Sequence, residues 1–524
     1  MIADVVIAGG GPNGLMLAFE LSLAGVRPIV LERLAEPSAE PKANGLVGQV
    51  VEMLDRRGLY ERLAGSPGPP QPVPGYMFGA LPLDLTMLED NPIRVLPVPQ
   101  PRLTRVLAER AVELGVELRW GHELVALSRG DDAVAVTVAG PDGEYRLQAR
   151  YLVGADGGHS ATRKLSGIDF PGITTDRRVS RAAHAYPPAE WVDPDTGALT
   201  VPGYGTIPAR MHHRNERGLF VFAQFPGRPP LVNTTEFDVP DGDETPMTLD
   251  ELRASIRRVL GVDVPLEAPT GDGPHLLRRL VGGNTRLAER VRDGRVLLVG
   301  DAAHVHSAMG GPGLNLGLQD AINLGWKLAA EIHGWAPPGL LDSYAAERVP
   351  VARRVVMQTQ AQSALIAPGS EVTALRELFA ELLRDPANAA RIAGLIAGTD
   401  VRYDLAAPGA HPLVGLFAPD LALRTSSGAV RLGELTTGAR PLLVDLTDGG
   451  SPAATAAGWR ERVEVVRARP GTGLVPATAL LLRPDCYVAW ASASPDPDPE
   501  ELGTLRTAMG RWFGAPTRDR EPVG

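Results

Sequence analysis

The sequence contains a single cysteine, Cys486, among 524 residues. One thiol allows no internal disulfide, no Cys-x-x-Cys redox pair, no cysteine-rich zinc site and no protein-ligated iron–sulfur cluster. His304 and His306 lie close together in sequence, but no cysteine or third histidine stands near them. We therefore expect these histidines to pack rather than to bind a metal. If the protein carries out redox chemistry, an organic cofactor must carry the electrons.

Positive charge and long apolar runs are also scarce. The chain has 52 Lys and Arg against 62 Asp and Glu, a net charge of -10, which argues against nucleic acid as a partner. No stretch reaches the roughly 18 to 20 apolar residues that a membrane-spanning helix needs. No basic leader or cleavage site surrounds the first apolar run. The sequence therefore predicts a cytoplasmic protein without a membrane partner, either a monomer or a homodimer.

The composition is that of a protein with a buried core, since 44% of the residues are hydrophobic and 22% are charged. The length predicts two or three domains. At the N-terminus we predict a buried strand over 2–8, a tight turn over 9–14, a helix from about 15 to 24 and a strand over 28–31. Strand, turn, helix and strand in this order begin a doubly wound α/β domain of the Rossmann type.

The remaining pattern divides the chain further. A Pro/Gly-rich break covers 64–75, alternating strand patterns fill 183–275, and 315–400 is mostly helical. Short strands at 441–446, 479–482 and 487–490, followed by a helix over 499–513, indicate a small C-terminal α/β domain. We predict a dinucleotide-binding domain over 1–70, 98–182 and 276–400, a mixed-sheet substrate domain over 71–97 and 183–275, and a C-terminal domain over 405–524.

The first motif is Gly9-x-Gly11-x-x-Gly14, between the first strand and the first helix. Gly9 permits the turn, Gly11 lets the backbone approach a pyrophosphate, and Gly14 allows close packing of helix and strand. Glu32 follows at the end of the second strand, where a carboxylate can accept hydrogen bonds from ribose hydroxyls. The motif predicts a dinucleotide site but does not separate FAD from NAD.

Two further strands deliver carboxylates to their C-terminal ends. Asp156 follows the strand 151–154, and Asp301 follows the strand 295–299. A glycine-rich loop over 310–313 then opens a helix. Because ligands in open α/β sheets bind at the carboxyl ends of the strands, this arrangement suits a long, extended cofactor.

On these three motifs the sequence resembles the class A flavin monooxygenases, the family of p-hydroxybenzoate hydroxylase and phenol hydroxylase. The likeness runs from residue 1 to about 350 and ends with Tyr344-x-x-Glu347-Arg348-x-Pro350. Within that family it is closest to the bacterial aromatic polyketide hydroxylases. Their thioredoxin-like C-terminal domain without redox cysteines is similar to 405–524, including His411-Pro412-Leu413 and the segment 481–485.

The resemblance implies an FAD-dependent monooxygenase that uses NADPH or NADH and O2 to hydroxylate an aromatic, polyketide-like substrate through a C4a-hydroperoxyflavin. FAD would be held non-covalently, with Glu32 on the adenosine ribose and Asp301 on the ribityl chain. No side-chain triad is evident, so we assign no catalytic residue. The residues implied in binding FAD are Gly9, Gly11, Pro12, Asn13, Gly14, Glu32, Arg33, Lys42, Gln100, Leu124, Asp156, Asp301, Gly311, Gly313, Leu314 and Asn315.

Four positions depart from the family pattern. The family usually has Arg at Lys42, and many polyketide hydroxylases have Arg at Gln49, Pro at Ala308 and Gln at Pro312. Because these positions border the flavin pocket, Baeyer–Villiger oxygenation of a ketone stays an alternative. A flavin reductase, or a protein that keeps FAD only for structure, is another.

The substrate pocket is expected on the strand near Phe220. Phe220, Phe222 and Gln224 alternate with Leu219, Val221 and Ala223, so only one set can face the pocket. We predict the set that contains Gln224, because a flat polyphenol needs aromatic area and a few hydrogen bonds. Gln49 and Pro312 are expected to complete this pocket.

Overall fold

The computed structural model describes residues 2–40, 42–225, 227–238, 245–271, 275–307, 309–406, 409–473 and 475–517, except for the side chains of residues 176 and 177. Ala308, one of the four departures from the family pattern, lies outside the described residues. Within the described residues, no helix is long and apolar enough to cross a membrane.

Strands are numerous up to Val305, helices occupy most of 312–397, and short strands return after Ala422. The strands are β1 (Ile2–Ala8), β2 (Ile29–Glu32), β3 (Leu46–Val47), β4 (Gly75–Phe78), β5 (Leu81–Asp84), β6 (Val95–Leu96), β7 (Glu117–Trp120), β8 (Glu123–Arg129), β9 (Val134–Gly140), β10 (Gly143–Gly154), β11 (Gly172–His184), β12 (Leu199–Val201), β13 (Gly205–Ile207), β14 (His212–Asn215), β15 (Gly218–Ala223), β16 (Leu231–Phe237), β17 (Leu277–Leu287), β18 (Arg292–Asp293), β19 (Val296–Leu298), β20 (His304–Val305), β21 (Ala422–Thr425), β22 (Gly428–Arg431), β23 (Leu442–Asp445), β24 (Glu464–Arg467), β25 (Arg469–Pro470), β26 (Ala479–Leu482) and β27 (Val488–Ser492). The α-helices are α1 (Pro12–Leu23), α2 (Gln49–Asp55), α3 (Tyr60–Ala64), α4 (Gln100–Glu113), α5 (Ala161–Leu165), α6 (Leu249–Leu260), α7 (Pro312–Ile332), α8 (Ser343–Leu365), α9 (Ser370–Leu382), α10 (Pro386–Ala397), α11 (Ser451–Thr455) and α12 (Pro499–Phe513).

The first sheet has the strand order β18-β19-β10-β1-β2-β7, and its central strands run parallel. Helices α1 and α7 pack on it, and their side chains join its largest apolar core. Helix α1 begins at Pro12, earlier than predicted, because proline at the first helical position has a suitable φ and needs no hydrogen-bond acceptor. The predicted α/β class, with a Rossmann-type sheet, is confirmed.

The second sheet, called the middle sheet below, has the order β14-β15-β16-β11-β17-β20. Its strands β11 and β17 reach beyond the predicted domain limits at 183 and 275, since they cover 172–184 and 277–287. Among the described residues, both strands pair only with strands of the middle sheet, and no break in composition marks where they begin or end. The division of the chain into domains therefore stays a prediction, with these two strands better assigned to the middle sheet.

The C-terminal part forms a four-stranded mixed sheet in the order β24-β23-β26-β27. The predicted strand 479–482 and the predicted helix 499–513 are found with those bounds. The helix begins there because Pro499 occupies its first turn and Asp498 accepts a hydrogen bond from the amide of Glu501. The Cys486 thiol is buried between β26 and β27, with its sulfur 4.0 Å from Nη1 of Arg57.

A cluster of buried charges joins this C-terminal domain to helices α7 and α8. Arg483 donates to both carboxylate oxygens of Glu347, at 2.7 and 2.8 Å, and Lys327 donates to the same carboxylate at 2.8 Å. Asp485 pairs with Arg483 and accepts from Asn323 at 3.1 Å. Two positive and two negative side chains thus balance each other out of contact with water, which fixes the two parts of the chain against one another.

Candidate functional site

Four strands of the first sheet end at the same level, and each end carries a residue of a sequence motif. The register pairs Ala8 with Leu31 and with Gly154, and Gly154 with Leu298. The residues that follow these strand ends therefore meet along one edge of the sheet. They include the motif residues Gly9, Glu32, Asp156 and Asp301. The structure thus brings together motifs that are up to about three hundred residues apart in the chain, as expected for residues that follow the carboxyl ends of parallel strands.

The glycine turn after β1 is shaped to leave space at the start of α1. Gly9 has φ +110, and a Cβ placed on it would overlap Ala155, while a Cβ on Gly14 would overlap Gly9. A Cβ on Gly11, in contrast, would meet no described atom within 4 Å. No side chain caps α1, so its first amide groups point into this space. Such a helix N-terminus binds a pyrophosphate.

Glu32 stands beside this turn. Its carboxylate accepts hydrogen bonds from the amides of Gly10, at 2.7 Å, and Leu34, at 3.0 Å. Arg33 is exposed next to it, whereas Leu124 on β8 is buried under the sheet. Gln100 opens α4, and its amide donates to the carbonyl of Ala43 at 2.9 Å. Glu32 therefore borders the glycine turn, whereas the contacts of Arg33, Leu124 and Gln100 with the adenosine half of the cofactor stay predictions.

Asn13 connects three elements of the site. Its side chain lies where a Cβ on Gly300 or on Gly317 would stand, so both positions require glycine. Its Oδ1 is buried and has no hydrogen-bond partner among the described residues. A buried acceptor without a donor can accept a hydrogen bond from a ligand, and the contact of Asn13 with FAD stays a prediction.

Asp301 follows β19 in a short 3₁₀ turn, Gly300–Ala302. Its side chain reaches open space at the floor of the cleft, yet enough protein surrounds it for desolvation to raise the pKa of its carboxyl group. The charges of His304 and Lys42 act in the opposite direction on this pKa. Lys42 therefore lies close enough for its charge to act on Asp301. The carboxylate is free to accept hydrogen bonds from ribityl hydroxyls.

Asp156 has a more local role than the sequence motif suggests. Its carboxylate accepts from the amide and the hydroxyl of Thr162, both at 2.9 Å, and from the hydroxyl of Ser160. These contacts hold the loop before α5, and this loop packs on the Gly9 turn. Asp156 thus shapes the wall of the cleft. Its direct contact with a cofactor stays a prediction.

The glycine-rich loop opens α7 at the inner end of the cleft. Gly311 has φ +68 and precedes the helix without a capping side chain, so the amides of Gly313 and Leu314 are available to an acceptor. Asn315 Oδ1 accepts from the amide of Val47 at 3.3 Å. His306 lies beside Gly313, and desolvation lowers its pKa to about 4, which keeps this imidazole neutral. The helix end therefore supplies the positive potential here.

Behind the Asp301 turn lies a buried group that sequence reasoning missed. Asp320 on α7 contacts Nε2 of His304 at 2.6 Å and accepts from Nε of Arg348 at 2.7 Å. Its carboxylate also accepts from the amide of Gly300 at 3.2 Å. His304 is thus held by a carboxylate, and no group of three potential metal ligands occurs among the described residues. The sequence feature that could have indicated this group is Arg348 in the motif Tyr344-x-x-Glu347-Arg348-x-Pro350, to which the sequence analysis assigned no contact.

Comparison with known families decides the identity of the cofactor. Residues 2–359 match the family described as FAD binding domain, and residues 411–516 match the family described as aromatic-ring hydroxylase, C-terminal. The protein belongs to the FAD-dependent aromatic-ring hydroxylases. It is a flavin monooxygenase, and FAD is its cofactor, which confirms both predictions.

Relatives of this hydroxylase are similar over their whole length. It is 44% identical to a 12-dehydrotetracycline 5-monooxygenase/anhydrotetracycline 6-monooxygenase from Streptomyces rimosus subsp. rimosus, over 98% of this chain and 99% of the relative. It is 36% identical to a dialkyldecalin synthase from Streptomyces rugosporus, over 98% and 99% of the two chains. The solved structure of the anhydrotetracycline hydroxylase OxyS from Streptomyces rimosus superposes with a TM-score of 0.84 at 42% identity, covering 99% of this chain and 100% of that one.

The middle sheet of the hydroxylase has two faces of different kinds. Phe220 and Phe222 are fully buried against α6, in a cluster with Ile256 and Val259. We call this side the outer face. Leu219 and Val221 point the other way and pack against Met309, next to the glycine-rich loop. We call this side the inner face.

The register defines which residues share the inner face. Val221 pairs with His212 and Asn233, Leu219 pairs with Thr235, Thr235 pairs with Ser180, and Phe237 pairs with Arg178. Paired residues point to the same side of a sheet. The inner face therefore carries His212, Leu219, Val221, Asn233, Thr235, Phe237, Arg178 and Ser180.

This arrangement corrects the prediction for the strand near Phe220. Phe220 and Phe222, which were predicted to face the pocket together with Gln224, lie on the outer face. Leu219 and Val221, from the alternate set, face the glycine-rich loop. The physical reason is that α6 needs a large apolar surface to cover. The two phenylalanines provide that surface, so they are core residues and do not line a pocket.

Two other predicted pocket residues lie elsewhere. Gln49 is fully buried, and its Oε1 accepts from the hydroxyl of Tyr487 in the C-terminal domain at 3.1 Å. Its Nε2 is buried without a hydrogen-bond partner among the described residues, and its part in the substrate pocket stays a prediction. Pro312 occupies the first turn of α7 and borders a small cavity with Val351 and Leu395, between α7, α8 and α10. Neither residue lies on the inner face of the middle sheet.

Proposed function

We propose that this hydroxylase inserts one oxygen atom from O2 into a fused-ring aromatic polyketide of the anhydrotetracycline type, with NADPH or NADH as the reductant. The similarity to an anhydrotetracycline monooxygenase over the full length of both chains carries this proposal, because it includes the cofactor cleft and the middle sheet alike. The substrate and O2 are the partners that we propose. The cytoplasmic location and the choice between monomer and homodimer stay predictions.

The fit of the cleft to FAD supports the proposed roles of its residues. The open N-terminus of α1 would hold the pyrophosphate, Glu32 the adenosine ribose and Asp301 the ribityl chain. The first turn of α7 would donate hydrogen bonds to the pyrimidine edge of the isoalloxazine, where negative charge develops on reduction. Lys42, whose charge acts on Asp301, would add positive potential to the same region.

When bound, FAD supplies the hydride acceptor and the activation of O2, which no side chain provides. The protein contributes orientation and exclusion of water. Met309, just before the glycine-rich loop, and Phe237 form a partly buried apolar surface, which packs on the buried side chains of Leu219, Val221 and Ile366. A planar aromatic ring would lie between this surface and the cofactor, out of contact with bulk water.

The test measures aerobic NADPH oxidation by the FAD-loaded protein with and without anhydrotetracycline. We expect the substrate to accelerate the oxidation and the product to contain one oxygen atom from isotopically labelled O2. The same assay with NADH identifies the preferred reductant. A product that retains its ring size and gains a hydroxyl supports hydroxylation, whereas a ring-expanded lactone supports the Baeyer–Villiger alternative.

A second candidate function is that of a synthase that does not use O2. It is favoured by the 36% identity to the dialkyldecalin synthase, whose name denotes a synthase and not an oxygenase. In that case FAD would have a structural role. The FAD-loaded protein would then neither oxidise NADPH or NADH faster with substrate nor transfer label from O2. This result would contradict the oxygenase proposal.

The orientation of β15 gives a prediction for specificity. Replacing Val221 with Phe should abolish the acceleration by substrate, because the larger side chain at this nearly buried position must displace Met309 or Phe237 on the inner face. FAD content and the slow oxidation without substrate should stay as in the wild type. Phe222→Leu, one position along but on the outer face, is the matched control and should keep the acceleration. Loss of acceleration in Phe222→Leu but not in Val221→Phe would reverse the assignment.

A further inference from the structure

The inner face of the middle sheet carries a row of polar groups at its centre. Ser180 and Thr235 lie across from each other with their hydroxyl oxygens 2.9 Å apart, and Nδ2 of Asn233 donates to the Ser180 hydroxyl at 3.3 Å. These neutral groups are satisfied mainly by one another. Arg178 continues the same face toward the flavin loop, opposite Phe237.

Arg178 has no counter-charge among the described side chains, in contrast to Arg181 on the same strand. Both terminal nitrogens of its guanidinium lie 3.4 Å from the hydroxyl oxygen of Ser307, a weak contact. No carboxylate lies within salt-bridge distance of Arg178 among the side chains that the structure describes. Arg181, three residues along on the outer face, has two carboxylate partners at 2.7 Å, Glu236 and Glu251.

The contact with Ser307 places this cation next to the part of the chain that leads into the glycine-rich loop. Ser307 belongs to the segment between the Asp301 turn and the glycine-rich loop, and its hydroxyl also contacts Ser363 of α8 at 3.3 Å. Desolvation lowers the pKa of Arg178, and no charge acts against it. An unpaired guanidinium at a partly desolvated site lowers the free energy of a bound anion, because the anion supplies the missing charge and hydrogen-bond acceptors.

We propose that Arg178 determines specificity by binding an anionic oxygen of the substrate, such as the ionised enol or phenol of a fused-ring polyketide. This inference rests on the proposed function and goes beyond it, since it assigns both the residue and the charge of the group that it recognises. The planar guanidinium can donate to two neighbouring oxygens at once, as in the β-diketone enolates of such rings. The phosphate of NADPH offers the same chemistry, so the test separates the two.

The test compares wild type, Arg178→Met and Arg178→Lys, each loaded with FAD. Anhydrotetracycline is titrated into each oxidised protein at several pH values, and its absorbance reports both binding and ionisation. Arg178→Met should weaken binding by about 10- to 100-fold, the loss expected for one charge-assisted hydrogen-bonded pair. The bound compound should also ionise at a higher pH than in the wild type. Arg178→Lys should restore part of both effects, since it keeps the charge but not the planar fork.

The control is Arg146→Met, which removes an exposed arginine of β10 and should change neither measurement. Unchanged affinity and ionisation in Arg178→Met would overturn the proposal, as would a rise in KM for NADPH without weaker binding of anhydrotetracycline. If wild type neither binds nor oxidises anhydrotetracycline, the proposed substrate class fails, and the ligand assigned to Arg178 fails with it. If wild type hydroxylates it and Arg178→Met does so with the same KM, only the role of Arg178 fails.

Discussion

Replacing Glu347 with Gln should lower the free energy of unfolding by about 3 to 5 kcal/mol, the usual effect of removing one partner from a buried ion pair. Glu347 is 7% exposed and holds Arg483, which is fully buried, through two hydrogen bonds. The substitution keeps the volume but leaves Arg483 and Lys327 with Asp485 as the one remaining acid in the cluster. Denaturation by urea, followed by tryptophan fluorescence, measures the change.

A second acid provides the control for this measurement. Asp263 pairs with Arg257 at the surface, and both side chains are about two-thirds exposed. Asp263→Asn should change the free energy of unfolding by less than about 1 kcal/mol, because exposed pairs contribute little. Equal effects of the two substitutions would mean that the buried cluster does not hold the C-terminal domain in place. With the single thiol Cys486, this domain cannot carry out dithiol exchange. The measurement would also show whether the domain stabilises the flavin domain instead.

Replacing Asp301 with Ala should weaken FAD binding by about one to two decades. The Asp301 carboxylate follows β19 and forms no hydrogen bond with a described side chain. Its oxygens are therefore available to accept hydrogen bonds from the ribityl hydroxyls. The fold should stay intact, because the turn itself is held by Asp320 from behind. Titration of the apoprotein with FAD, followed by quenching of flavin fluorescence, gives the dissociation constant.

Asp142→Ala, in the exposed turn between β9 and β10, is the matched control and should bind FAD as the wild type does. Thermal unfolding of both apoproteins checks that neither change affects the fold. An Asp301→Ala protein that keeps full FAD content at high dilution would contradict the assignment of this residue to the ribityl chain.

The order of motifs along the chain was sufficient to predict the cofactor edge. A buried strand must end at a turn, and parallel strands of one sheet end on the same side, so Glu32 and Asp301 could be placed together without a structure. The C-terminal helix was predictable for a similar reason, since Asp498 and Pro499 form a local start signal. The start of the helix depends on neighbours within a few residues, and the meeting of the strand ends depends on the geometry common to parallel sheets.

The orientation of β15 depended on the tertiary structure. Its alternating positions are apolar on both sides, Phe220 and Phe222 against Leu219 and Val221, so the pattern contains no difference in polarity that assigns a face. The packing of α6 over the phenylalanines decides it. The placement of Gln49 against Tyr487 is of the same kind, because it joins residues that lie more than four hundred positions apart.

The sequence by itself therefore determined the fold class and the edge of the sheet at which its motifs meet, because those follow from local patterns and from motifs of fixed spacing, whereas FAD followed from the family resemblance. Only the tertiary structure decided which arginines are paired. Arg178 and Arg181 lie on the same strand and are alike in sequence, yet one faces two carboxylates and the other faces the flavin loop. The carboxylates that pair with Arg181 lie 55 and 70 residues further along the chain, so the sequence near the two arginines does not show which of them is left without a counter-charge.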